Sequence, residues 1–280
     1  MNPMDEFEAL LEATGAARSE PLATLAARLS QTTWLPTLLE VAALRWSWWH
    51  AGNGDLLELL RPASTSKLEV LLRAAADLPL VALERATSGA AVNLHLLGGE
   101  IMQVPAAGEE WAPGRPLALF EERFRNALRQ GGYPSRGADL LMAALREMES
   151  NAIEHAQAPI PPLACYQIHP KGWLFCVTDV GCGVLESLRR NPAYGAVTHA
   201  LDALDLALRP GVSCTGEPGR GQGFAALFKA LADRDCRLRV RTGGVGGRWS
   251  GTSPTAQTLD LMVLPERVGL HVVVGASWPP

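Results

Sequence analysis

Three short segments in the second half of the chain limit what it can fold into. They hold useful chemistry only if a helix, a strand end and a glycine-rich turn meet at one place. They are Glu147-Met-Glu-Ser-Asn151-Ala-Ile-Glu154-His155-Ala156, Asp179-Val-Gly181-Cys-Gly183 and Gly219-Arg220-Gly221-Gln222-Gly223-Phe224. The first reads as a helix. Residues 138–156 are rich in Leu, Met, Ala, Glu and Arg, with no internal Gly or Pro, Gly137 before them and Pro159 just beyond. Spacing of four puts Glu147, Asn151 and His155 on one face. Leu141, Leu145, Met148, Ala152 and Ile153 form a second stripe that can pack inward. A carboxamide oxygen can ligate Mg²⁺, and a carboxylate on the same face can orient or deprotonate an attacking group. Taken alone, the same spacing also suits a solvated polar face.

The second segment follows Trp173-Leu-Phe-Cys-Val-Thr178, an aromatic and β-branched run that reads as a strand. An Asp at a strand end, followed by alternating glycines, suits a pocket in which a carboxylate accepts a hydrogen bond from an exocyclic amine. The glycines let backbone approach a ligand closely. An ordinary turn has the same composition. The third segment opens a helix over Phe224 to Ala232. Bare N–H groups and the helix dipole make such a start an anion site, and Arg220 adds a charge able to reach a phosphate. The glycines alternate as G-x-G-x-G, so the dinucleotide fingerprint does not fit, and no P-loop pattern occurs.

In this order, the segments resemble the N, G1 and G2 boxes of the GHKL superfamily, which groups DNA gyrase, heat-shock chaperones, histidine kinases and MutL. The resemblance covers residues 116–280. It implies an α+β Bergerat fold: a mixed sheet covered by helices on one face, with ATP between the helices under a movable lid. It implies Mg-ATP as ligand, with Asn151 holding Mg²⁺ and Glu147 as catalytic base. Asp179 would read adenine beside Gly181 and Gly183. Gly219, Arg220, Gly221, Gln222, Gly223 and Phe224 would meet the phosphates, and His155 would complete the ATP helix. The segment Asn151 to Ala156 looks like anti-sigma serine kinases and the kinase cores of two-component sensors, and the stretch after the third segment is similar to the end of stand-alone bacterial ATPases of this type. Gln222, Phe224 and Leu270 depart from the usual residues, and no phenylalanine-rich box of the sensor kinases lies between Gly183 and Gly219. These departures bear on turnover more than on fold.

The remaining pattern suits that reading. A lid is expected between the second and third segments, with a helix over Ala196 to Leu208 and a flexible stretch over Ser213 to Gly219. Cys236 to Arg241 alternates like a strand, Gly243 to Gly247 makes a turn, and Leu259 to Leu264 and Gly269 to Val274 read as strands. The basic strip from Arg234 to Arg241 reads as one solvated strand face.

At 280 residues the chain suggests two domains, 1–115 and 116–280, with a Gly/Pro-rich linker from Pro105 to Pro116. The first reads as mainly helical, over Pro21 to Leu29, Trp34 to Trp49, Leu56 to Leu60 and Leu68 to Ala76, with a strand at Val92 to Leu97. Trp46, Trp48 and Trp49 suit core packing or a partner surface. A net charge of −4 argues against general nucleic-acid binding. No apolar run reaches membrane length, and no signal peptide is visible, so a cytoplasmic location is expected. Five scattered cysteines suggest neither a zinc site nor a disulfide framework. The helix-like stretch Leu117 to Gln130 carries no histidine, which disfavours an autophosphorylating histidine kinase. The expected function is Mg-ATP binding with ATPase or Ser/Thr-type protein kinase activity that regulates a protein partner. A nucleotide-switched module with little turnover, and a degenerate homologue that binds no nucleotide, are the alternatives. A homodimer stays open.

Overall fold

Glycine-punctuated runs of β-branched and aromatic residues build one antiparallel sheet, seen in a computed structural model. It describes residues 93–96, 99–104, 116–158, 161–215, 221–232, 236–250, 259–264 and 266–278. The strands are β1 (Asn93–Leu96), β2 (Gly99–Gln103), β3 (Leu163–His169), β4 (Gly172–Thr178), β5 (Cys236–Thr242), β6 (Val245–Ser250), β7 (Asp260–Val263) and β8 (Leu270–Ser277). They lie in the order β1-β2-β3-β4-β8-β5-β6-β7. The expected strands at 92–97, 173–178, 236–241, 259–264 and 269–274 correspond to β1, β4, β5, β7 and β8, while β2, β3 and β6 were not foreseen.

The fold is α+β, but the mixed sheet expected from the sequence is not found: every described pairing is antiparallel. β1 pairs with β2, and tight hairpins join β3 to β4 and β5 to β6. The last strand, β8, then enters between β4 and β5 and runs antiparallel to both. β4 and β5 point the same way, yet β8 keeps them from pairing. β1 and β2 lie upstream of the expected boundary at residue 115 and still form an edge of this sheet. The other expected N-terminal helices, the tryptophan cluster and residues 105–115 of the linker fall outside the described residues.

The helices are α1 (Pro116–Gln130), α2 (Ser135–His155), α3 (Gly183–Arg189), α4 (Ala200–Ala207) and α5 (Gly223–Leu231), with a 3-10 turn at Pro192–Tyr194. The expected lid helix is shorter than its apolar pattern. Asn191 caps the 3-10 turn, accepting from the Ala193 N–H, and regular helix resumes only at Ala200. None of the described helices is long and apolar enough to cross a membrane.

Strand alternation sorts side chains to two faces. Register aligns Tyr166, Phe175, Val274, Leu238 and Trp249 in one row. That row packs with Phe120 and Phe124 of α1, Leu141 and Leu145 of α2, and Leu227 and Phe228 of α5. Phe124 stacks on Tyr166 at 4.9 Å and meets Trp173 edge-on at 5.9 Å. Each large side chain so buried contributes roughly 1.5–3 kcal/mol. The next row, Cys165, Cys176, Val273 and Arg239, faces the other way and is also buried. This corrects the solvated-strip reading: Arg239 and Arg241 are 2% and 1% exposed. The alternation was read correctly, but the face opposite the helices is a second interior layer, which no local pattern reveals.

Two ion pairs tie α1 to its neighbours on the helix side of the sheet. Glu121 takes a forked hydrogen bond from Arg146 of α2, and buried Glu100 of β2 pairs with Arg123. Glu149 of α2 is fully buried, and neither carboxylate oxygen has a hydrogen-bond partner among the described residues. Burial, then the nearby Glu121 charge, pushes its pKa well above the ordinary carboxyl range, so the folded state holds it neutral. The folded chain therefore binds more protons than the unfolded one just above the ordinary carboxyl range. Stability falls as pH rises through that window. Glu149→Leu should flatten the slope of urea-melt stability between about pH 5 and pH 8, with equal or greater stability at the upper end. A loss of more than about 2 kcal/mol there would show that the carboxyl is well paired after all.

Candidate functional site

The helical period does for α2 what the sequence suggests. Leu141, Leu145, Met148 and Ala152 are buried, while Glu147, Asn151 and His155 line one cavity of about 300 Å³. Asp179 and Gly183 join them from the loop after β4, and Gly221, Gln222, Gly223 and Phe224 from the start of α5. Residues separated by more than seventy positions thus share one space. Gly181 borders it. A Cβ there would collide with the Ala156 carbonyl, so this loop closes tightly on the end of α2. Gly219 and Arg220 lie outside the described residues.

Asp179 is held by the sheet. Its N–H donates to the Leu270 carbonyl at 2.9 Å, and its Oδ1 accepts from the N–H groups of Gly181 at 2.8 Å and Leu270 at 3.2 Å. Arg267 donates to the Asp179 carbonyl at 3.2 Å and to Thr178 Oγ1 at 3.3 Å. Gly269 precedes Leu270 with φ +74°, and a Cβ there would strike Asp179, so this clamp needs glycine. Burial pushes the carboxyl from its ordinary 3.8 up to about 6, against the opposing pull of the Gly181 N–H, Arg267 and the Leu270 N–H. Oδ2 takes none of the described hydrogen bonds and is the oxygen left for a molecule in the cavity.

The start of α5 is shaped by close backbone packing. Gly221 has φ +76°, and any Cβ would collide with Val212. Its carbonyl accepts from the Gly211 N–H at 2.9 Å, which binds the loop after α4 to the base of α5. A Cβ on Gly223 would lie 2.6 Å from Asn151 Nδ2, so α5 meets α2 at the carboxamide itself. The first N–H groups of α5 have no intrahelical acceptor, and of the residues bearing them Gly223 and Phe224 line the cavity. Val212, Ser213 and Cys214 form the wall where the lid was expected. Cys214 Sγ lies 3.3 Å from His155 Nδ1.

Several contributors were not picked out from sequence. Val184, Leu188 and Leu270 supply apolar wall. In sequence Gly269 to Val274 reads as a strand and Leu270 as a departure from the usual residue, but not as cavity wall. Arg267 gives no local signal: it is a lone arginine in a loop, and only the folded chain puts it behind Asp179. Among the described residues no group of three or more His, Cys, Asp or Glu could cage a metal. The arrangement offers a buried carboxylate pushed up to about 6, an exposed carboxylate at Glu147, a carboxamide, backbone donors at a helix start and apolar walls.

Asp179 also sets a pH dependence. Its folded-state value is raised, so stability falls as pH climbs from about 4 to about 6, by up to roughly 3 kcal/mol. Asp179→Asn keeps an oxygen for both N–H donors and removes the charge. Its unfolding free energy should lose that slope and match or exceed wild type at about pH 8. A large loss of stability at that pH, read by thermal or urea melts, would contradict the burial argument.

No protein-family model, curated protein or solved structure matches this chain.

Proposed function

We propose that this chain binds Mg-ATP in the cavity between α2, the β4–α3 loop and α5. We read it as an ATPase or Ser/Thr-type protein kinase of the histidine-kinase-like class that regulates a protein partner. One observation carries the reading: the three segments singled out by sequence converge on one cavity that contains a buried carboxylate. Helices on one sheet face, with the cavity between two of them, also support a Bergerat-type fold with an antiparallel sheet. The cytoplasm, a homodimeric state and a partner that is neither nucleic acid nor membrane remain parts of the proposal.

The residues fit the group. Asp179 Oδ2 suits an exocyclic amine, and a purine with a carbonyl at that position would set acceptor against acceptor. Val184, Leu188 and Leu270 suit the faces of a flat ring. The N–H groups opening α5 suit phosphate oxygens, with the helix dipole aligned to favour negative charge. Asn151 offers one oxygen to Mg²⁺, a cation that takes few protein ligands beside phosphates and water. That ion would neutralise phosphate charge. Glu147 lies exposed on the same helix face, one turn before Asn151, and can orient or accept a proton from an attacking hydroxyl or water.

A second reading, a nucleotide switch with little turnover, draws on the Gly211–Gly221 hydrogen bond. The loop lining the cavity is tied there to the phosphate-facing end of α5, so a ligand touching both would bias the loop.

Calorimetric titration tests the proposal. Mg-ATP should bind at least about tenfold more tightly than Mg-GTP or ATP with EDTA. Asn151→Ala should abolish the Mg²⁺ dependence. Affinity for ATP should weaken below about pH 6, because protonated Asp179 loses its preference for an amine donor. Equal affinity for both purines would sink the Asp179 role. Phosphate release separates the two readings. Glu147→Ala should bind Mg-ATP normally and lose about 10²-fold or more in turnover if the chain is an enzyme.

A further inference from the structure

Two of the five cysteines flank the cavity, and the function proposed above uses neither. Cys214 lines it from the loop after α4, with Sγ 3.3 Å from His155 Nδ1. Cys182 opens α3 and directs its Sγ to the His155 backbone carbonyl at 3.5 Å. The Arg190 guanidinium donates to Cys182 Sγ at 2.8 Å. Both thiols are partly exposed, whereas Cys165, Cys176 and Cys236 are buried. One residue at the end of α2 is thus bracketed by two sulfurs from separate segments, with a ring nitrogen on one and a guanidinium on the other.

We infer that Cys214 and Cys182 form an oxidisable pair that takes a hydroperoxide as oxidant and closes the cavity as a disulfide. Cys214 Sγ attacks one peroxide oxygen, forming an S–O bond as the O–O bond breaks. His155 Nδ1 relays the thiol proton to the departing oxygen, which leaves as alcohol or water. Cys214 is oxidised by two electrons to the sulfenic acid, and the peroxide is reduced. Cys182 Sγ then attacks that sulfur: the S–S bond forms, the S–O bond breaks, and hydroxide leaves as water with the Cys182 proton. Cys214 reacts first because it lines the open cavity with His155 Nδ1 beside its Sγ, and Cys182, whose thiol burial pushes up against the pull of Arg190, resolves. The crosslink draws the loop after α4 onto the start of α3, across His155. Its effect on ligand entry rests on the nucleotide reading above. The bond formation does not.

The test exposes the reduced full chain to hydrogen peroxide, caps free thiols and maps peptides by mass spectrometry without reductant. The expected product is a Cys182–Cys214 crosslink, absent from Cys214→Ser and Cys182→Ser, reversed by dithiothreitol, with the three buried cysteines unmodified. Oxidised protein should bind Mg-ATP at least about tenfold more weakly and recover on reduction. Sulfenic or higher acid on Cys214 without a crosslink, or a crosslink to another cysteine, overturns the pair. Reduced protein that binds Mg-ATP but never crosslinks overturns only the pair. Protein that crosslinks but binds no Mg-ATP in its reduced form sustains the pair and overturns the nucleotide reading.

Discussion

The site depends on how β4 ends. Thr178 and His271 form the last ladder pair between β4 and β8, and one step on Asp179 still donates its N–H to Leu270. At that step the Asp179 side chain takes over the acceptor role, and its Oδ1 receives the Leu270 N–H. The backbone carbonyl is released and goes to Arg267. A side chain that substitutes for backbone lets the chain leave the sheet without orphaning a buried donor. It also drags a carboxylate into the interior, where desolvation is only partly offset by three nearby dipoles and charges. The same substitution that ends the strand therefore makes the carboxyl chemically unusual.

α2 serves the core and the cavity at once. Its inward stripe anchors it against α1, α5 and the sheet, and its polar stripe is aimed by that anchoring. A helix locked on one side by close packing holds Glu147, Asn151 and His155 with little freedom of rotation. The buried Glu149 lies on neither stripe's logic. It is a neutral acid beside the Glu121–Arg146 pair, and nothing in the structure explains its presence.

The loop after α4 and the first turn of α5 form one mechanical unit. The Gly211–Gly221 hydrogen bond and the tight Gly221–Val212 packing make each segment's position a condition of the other's. His155 then links that unit to α2 through Cys214. The proposed ligand contacts and the proposed thiol chemistry would both act on this joint.

Much of this was legible in the residues. The four-residue spacing of Glu147, Asn151 and His155, the strand stop at Asp179 and the glycines opening α5 are local features, governed by helical period, backbone freedom and turn chemistry. The alternation of β5 was equally plain. Its consequence was not, because whether Arg239 and Arg241 meet water depends on what covers the far face of the sheet. The insertion of β8 between β4 and β5 was out of reach for the same reason: strand order follows from long-range pairing, and hydrogen-bonding potential along a strand is the same for any partner. Arg267 behind Asp179, the Gly269 clamp and the Cys182–His155–Cys214 cluster exist only once distant segments are packed together. Short-range sterics wrote the pieces, and burial in three dimensions set their partners and their chemistry.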